Sequence, residues 1–303
     1  MTKVYFIIES NKWVQYSKYN YYKKYIDFVD IIPLKVSYFN ILWSIGLLRN
    51  QYIIFSSWRL SIKLFNKNKF KDHHFKKFMA CVTSHSNLND NLLSNKIKFK
   101  QLQKAILILS KFKIVTSKSK ILFNFLKEYI KNVHYCPNGV DLNIFNNKLK
   151  KNYDPTNIII GFVAKNREVK RLDILEILEK KLSKYCNIKF KPIIIERNYK
   201  SHVLNQIQMK NYYNKIDFYL CLSNQEGTPN PALEAAACGN ILISTRVGNM
   251  PELILDNINS YFIDQNIENI IKKIKSISKI NISTYYNMSE SLVTEIQKNW
   301  SWK

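Results

Sequence analysis

Short apolar runs alternate with stretches of helical periodicity along nearly the whole chain. VYFII (4–8), YIIFS (52–56), FMACVTS (78–84), FKIVTS (112–117) and VHYC (133–136) form one series of predicted strands. NIIIGFVA (157–164), IKFKPIII (188–195), FYLCLS (218–223), NILIST (240–245) and SYFI (260–263) form a second. Apolar strands separated by helix-length segments predict parallel sheets with helices on both faces. The polar stretch NNKLKKNYDPTN (146–157) separates the two series and reads as a linker. The pattern therefore predicts two doubly wound α/β domains, residues 1–145 and 146–303. A closing helix is expected over 283–299, with Tyr286, Leu292 and Ile296 on one side. Ligands of such sheets bind beyond the carboxyl ends of the strands, so a central cleft faced by both sheets is the expected site.

Composition narrows the class. The chain has 303 residues, 46% of them hydrophobic, which is enough for two cores. Its five cysteines (81, 136, 186, 221, 238) are widely spaced and follow no zinc or redox pattern, so reduced core residues of a cytoplasmic protein are expected. The apolar run in MTKVYFIIES (1–10) is too short for a signal peptide, and lysines interrupt runs such as AILILSKFKIV (105–115), so no spanning helix is predicted. The net charge is +25, of which residues 1–150, with 26 Lys/Arg against 7 Asp/Glu, carry +19. Biased codon usage can enrich lysine, but so few acids in one half point to a polyanionic partner. Glycine is scarce, 6 residues in all, about 2% against a usual ~7%. Each one kept is thus expected at a positive φ or a close backbone approach.

The densest chemistry lies in EGTPNPALEAAACG (226–239). It follows an apolar strand, places Asn230 as an N-cap before Pro231, and ends at Gly239 as a helix stop. A loop-to-helix junction at the carboxyl end of a parallel strand is an anion site. Glu226 in the loop and Glu234 one turn into the helix are expected to face one ligand. Carboxylates accept from hydroxyls, so phosphate and sugar together fit this combination.

Four segments together resemble the retaining nucleotide-sugar glycosyltransferases of family 4, with the GT-B fold of two Rossmann-like domains. They are PNGVD (137–141), GFVAKNREVKRLD (161–173), EGTPNPALEAAACG and STRVGNMPELI (244–254). The resemblance is close over 157–264, looser over 132–145 and slight before 131. It implies that Lys165, where the family usually has Arg, and Lys170 contact the donor diphosphate, with Arg167 as a substitute cation. Among four basic residues (165, 167, 170, 171), these stabilise charge on the leaving group. It further implies Glu234 on ribose hydroxyls, Glu226 on the transferred sugar, and Gly227, Thr228 and Asn230 lining sugar and phosphate. Pro229 and Pro231 remove two amide donors, for which Thr228 is expected to compensate. His85 matches a histidine placed near donor sugar and acceptor, whereas His73 and His74 read as surface residues.

The chain departs from the family in having ESNKWV (9–14) where a glycine-rich loop often follows the first strand, and in a short stretch between Glu196 and Tyr212. No Asp-x-Asp pair stands in a strand-end loop, so neither a metal nor a cofactor is expected beyond the nucleotide-diphosphate sugar donor. The implied reaction is metal-independent transfer to a glycan or polyprenyl-linked acceptor in surface polysaccharide or glycoconjugate synthesis. Alternatives are a phosphorylase or nucleotide-sugar epimerase of the same fold, or a basic nucleic-acid-binding protein on a degenerate enzyme fold. No RRM, KH or helix-turn-helix signature supports the last, and no nucleic acid is expected. Residues 58–79 hold seven Lys/Arg, one acid, and Trp58, Phe65, Phe70, Phe75 and Phe78 between them. Basic heads with aromatic wedges suit an anionic membrane surface, which would hold the protein at the inner face of the membrane. Core-facing aromatics are the competing expectation.

Overall fold

The computed structural model describes residues 1–8, 14–68, 70–83, 96–185, 187–195 and 204–302. They form two compact units, Met1–Pro137 and Asn138–Trp302. The division falls eight residues before the expected one, because residues 138–145 pack into the second unit, where the Val140 N–H donates to the Trp300 carbonyl at 2.8 Å, and the stretch read as a linker follows them there. Phe145 and Tyr153 are buried there. Lys151 bridges Asp217 at 2.8 Å, and the Lys150 ammonium donates to the Ile216 carbonyl and the Asn240 amide oxygen. Burial pushes Lys150 down to about 7, with Asp217 opposing the shift.

The first unit is built on β1 (Thr2–Ile8), β2 (Val29–Lys35), β3 (Tyr52–Phe55), β4 (Phe78–Val82), β5 (Ile114–Ser117) and β6 (Val133–Tyr135). All pairs are parallel, in the order β2-β1-β3-β4-β5-β6. Its helices are α1 (Val14–Tyr25), α2 (Val36–Ser44), α3 (Trp58–Asn68), α4 (Asp72–Phe75), α5 (Lys96–Leu109) and α6 (Lys120–Lys127). Strand β2 was not expected from the sequence. Pro33 argues against a central strand, and here it sits on the sheet edge, where its missing N–H is tolerated.

The aromatics of 58–79 are core residues, which corrects their expected role as membrane wedges. Phe75 and Phe78 are fully buried, Trp58 and Phe70 nearly so, and Phe65 packs against them. Phe78 meets Phe70 at 5.1 Å and Phe55 at 5.4 Å between ring centroids, both edge to face.

The second unit carries β7 (Ile158–Lys165), β8 (Ile188–Ile195), β9 (Phe218–Cys221), β10 (Ile241–Thr245) and β11 (Tyr261–Ile263). Its helices are α7 (Leu172–Leu182), α8 (Gln206–Tyr213), α9 (Asn230–Ala237), α10 (Met250–Leu253), α11 (Ile267–Ile277) and α12 (Ile282–Asn299). The order β11-β10-β9-β7-β8 is again all parallel. The closing helix α12 is where the sequence placed it, but rotated: Tyr285, Met288, Leu292 and Ile296 are buried, whereas Tyr286 is exposed. Gly161 shows why a glycine survives in β7. A Cβ there would lie 2.3 Å from the Ile216 side chain. The four described cysteines are free thiols, three of them buried. No described helix is long and apolar enough to cross a membrane.

Phe78→Ala removes a fully buried ring from the first unit's core. It should lower that unit's unfolding free energy by about 3–5 kcal/mol, read by urea denaturation.

Candidate functional site

In the second sheet the strand order reverses between β7 and β9, so the chain leaves these neighbours toward opposite flanks. A crevice at the carboxyl ends of such a pair is where α/β sheets bind ligands. β7 ends on Lys165, and the loop after it carries Arg167 and Lys170; the loop after β9 carries Ser223, Glu226, Gly227 and Thr228. The Asn224 N–H donates to the Val169 carbonyl at 3.1 Å and ties the two loops together.

Lys170 and Glu226 meet directly as an ion pair, each side chain 14% exposed. Ser223 Oγ donates to the same carboxylate oxygen at 3.1 Å. Lys165 is half-buried at the end of β7, and burial, then the neighbouring Arg167, lowers its pKa. A cation disfavoured in this way by its surroundings gains from a nearby anion. Arg171 is engaged elsewhere: its guanidinium grips Asp173 at 2.8–3.2 Å and donates to Gln265 at 2.7 Å. It precedes α7 with a left-handed backbone.

Two further segments converge on the start of α9. Asn138 of the PNGVD turn donates its side-chain amide to the Asn230 amide oxygen at 2.9 Å and its N–H to Thr228 Oγ1 at 3.5 Å. Asn249, from the loop after β10, donates to Thr228 Oγ1 at 3.3 Å. Gly248, at φ +55, packs so closely that a Cβ would lie 2.4 Å from the Gly227 carbonyl. Thr228 is therefore a junction between three loops, a role its position in the sequence did not reveal.

The helix start differs from the expected anion cradle. Asn230 is the first residue of α9 rather than its N-cap, and Pro229 precedes it with no side-chain cap. The N–H groups of Asn230 and Ala232 donate to the Thr228 and Pro229 carbonyls at 2.9 Å, and Pro231 has none. No first-turn amide is left for a ligand. The cations at this end of the sheet include Lys165, Arg167 and Lys170.

Glu234 lies one turn further along α9, half-buried, and accepts from the Tyr213 hydroxyl of α8 at 3.0 Å. Desolvation raises its carboxyl from 4.5 to about 7, against the lowering effect of the tyrosine. Tyr213, fully buried in a helix of ordinary composition, gave no sequence signal. His85 lies outside the described residues. His74, expected at the surface, is buried, and its Nδ1 accepts from the Lys71 N–H at 2.9 Å. In the first unit, buried Lys18 and Lys118 gather near Cys81 and Cys136, and burial, then Lys118, lowers Lys18 to about 7. Among the described residues no three His, Cys, Asp or Glu side chains are grouped to hold a metal ion.

Residues 146–294 match the sequence model of the family described as "Glycosyl transferases group 1". An uncharacterized glycosyltransferase, MJ1178, of Methanocaldococcus jannaschii is 28% identical over 96 residues, 32% of this chain and 27% of that protein. The chain thus spans well under two thirds of the curated relative. Sucrose-phosphate synthase from Thermosynechococcus elongatus superposes with a TM-score of 0.72 at 11% identity, over 100% of this chain and 96% of that one. Anabaena HepE, in complex with UDP and glucose, gives 0.71 at 11% identity with the same coverage. TarM from S. aureus gives 0.63 at 17% identity over 84% of this chain and 53% of its own. These likenesses establish a GT-B fold.

Glu234 makes stability depend on pH. Its folded pKa, about 7, exceeds the ordinary 4.5, so the folded state holds the proton more tightly and stability falls as pH rises from about 4.5 through 7. Between pH 5 and 8 the wild type should lose about 1–3 kcal/mol more than Glu234→Gln. Urea melts of both proteins across that range check the difference.

Proposed function

We propose that the protein is a glycosyltransferase that moves a sugar from a nucleotide-diphosphate sugar to a glycan or polyprenyl-linked acceptor. On this reading the anomeric configuration is retained, no metal ion takes part, and the product belongs to a surface polysaccharide or glycoconjugate. The observation that carries it is the Lys170–Glu226 pair at the carboxyl ends of β7 and β9, with Lys165 at the end of β7 and Thr228 and Asn230, both held by Asn138, next along the same segment. The group 1 match over 146–294 covers this same set of loops.

The chemistry follows from charge. When the sugar–phosphate bond breaks, the diphosphate gains negative charge, and cations already fixed in place stabilise it without reorganising. Lys170 and Lys165 are the groups for this, with Arg167 exposed beside them. Lys170 is paired with Glu226, so a diphosphate competes for its ammonium and frees a carboxylate oxygen for a sugar hydroxyl. One step thus couples phosphate and sugar recognition. Glu234 accepts from ribose hydroxyls in its ionised form, and the hydroxyls replace solvation that burial has removed. The acceptor hydroxyl attacks from the face the diphosphate leaves, and a donor phosphate oxygen takes its proton. No side-chain nucleophile is required, and positioning supplies much of the rate.

Lys170→Ala should lower kcat/KM for sugar transfer by roughly 10- to 150-fold, the value of one charge-assisted hydrogen bond. It should also shrink the thermal shift given by the cognate nucleotide sugar at the same ligand concentration. The wild-type shift corresponds to about 2.7 kcal/mol at 100 times the dissociation constant. Unchanged kinetics in a variant with a wild-type melting profile would remove Lys170 from the site. Transfer should also continue undiminished in excess chelator; strict dependence on added magnesium or manganese refutes the metal-free mechanism.

A further inference from the structure

The first unit has an exposed apolar face on α2. On α2, Phe39 and Trp43 point inward and are buried, while Tyr38, Ile41 and, just past the helix, Ile45 are 57–63% exposed. Residues 38, 41 and 45 stand at i, i+3 and i+7, so they form one ridge. Leu47, 63% exposed, follows in the next turn.

A cavity of ≈ 550 Å³ opens where this helix ends, lined by Trp43, Ser44, Arg49, Lys67, Lys71 and His73 among others. Among the described residues no acidic side chain lines it. Asp72, the acid of that stretch, is turned to Lys111 at 3.2 Å. His74 at the cavity's base registers the accumulated charge: burial first, then His73, Arg49 and Lys71, lower its pKa. By contrast, the ≈ 540 Å³ cavity in the second unit mixes Arg246 with Asp256 and Asp264 and carries no such excess.

We propose that this face docks the first unit on an anionic lipid bilayer, with the α2 ridge in the acyl boundary and a phosphate-bearing headgroup in the cationic cavity. An aliphatic ridge beside a cluster of Lys and Arg is what an anionic bilayer surface selects. A second copy of this chain would bring like charge against like charge, since residues 1–150 carry +19. A nucleic acid would leave the aliphatic ridge in water. The basic residues are those noted in the sequence, but the apolar partner is α2 rather than the buried phenylalanines.

Co-sedimentation of the full chain with phosphatidylcholine vesicles, with and without phosphatidylglycerol, tests this. Binding should require the anionic lipid and weaken with added salt. Lys67→Ala with Lys71→Ala should reduce partitioning about 30-fold, at ~1 kcal/mol for each lysine. Ile41→Ser with Ile45→Ser should reduce it by on the order of 100-fold. These residues are exposed, so both variants should keep the wild-type melting profile and nucleotide-sugar thermal shift. That control separates failure of the docking surface from failure of the transfer reading. Equal binding to both vesicles, binding to neither, or variants that sediment like wild type overturn the proposal. So does a dimer in sedimentation velocity that the isoleucine pair abolishes, which would assign the ridge to self-association.

Discussion

The reversal of strand order between β7 and β9 is the constraint on which the second unit's chemistry depends. Parallel strands need crossovers that run back over one face of the sheet, and the crossovers from these two neighbours take opposite flanks. The space left between them at the carboxyl end is bounded by whatever the two loops carry. Here one loop carries Arg167 and Lys170 just after Lys165, and the other carries Ser223 and Glu226. Adjacency of β7 and β9, with the Asn224 N–H to Val169 carbonyl bond between their loops, brings residues 170 and 226 into contact.

Two prolines shape how an anion can be held there. Pro231 lacks an N–H, and the turn at Pro229 uses the neighbouring amides internally. The helix end keeps its dipole but offers no directed donors. The cations nearby are on long, flexible side chains, so rigid surrounding loops are what keeps those charges placed. Thr228 provides that rigidity by accepting from both Asn138 and Asn249. Gly248 permits the close approach that completes the junction. The Lys170–Glu226 pair also keeps two half-buried charges neutralised, since an isolated charge there would carry a large desolvation cost.

The first unit solves a different problem with the same few residue types. Residues 58–79 must supply both a core and a surface, and they do so by turning the phenylalanines inward and Lys63, Lys67, Lys71 and Lys76 outward. The aromatic cluster around Phe70, Phe75, Phe78 and Phe112 gives an edge-to-face packed centre. The unused apolar surface sits elsewhere, on α2, where buried Phe39 and Trp43 occupy one side and leave Tyr38 and Ile41 on the other.

Local pattern was enough to mark most strands, the closing helix, the two-sheet plan and the segment 226–239, because burial on both faces of a parallel strand leaves an apolar run that no other element explains. It was not enough for β2, whose Pro33 is acceptable only because the strand lies on an edge, and edge position is a property of the sheet. Helix phase escaped it as well: adjacent Tyr285 and Tyr286 are equally plausible as core, and packing on the sheet chose Tyr285. Residue types with charge or φ freedom were readable at the site, so Lys170, Glu226 and Glu234 stood out in the sequence. The partners that fix them did not. Arg171 is paired with Asp173 and Gln265, Thr228 joins three loops, and Tyr213 reaches Glu234 from another helix. Sequence determined which groups were present and which local backbone they prefer. Only the tertiary structure decided which of them meet, because those contacts span tens of residues and depend on sheet order rather than on any local period.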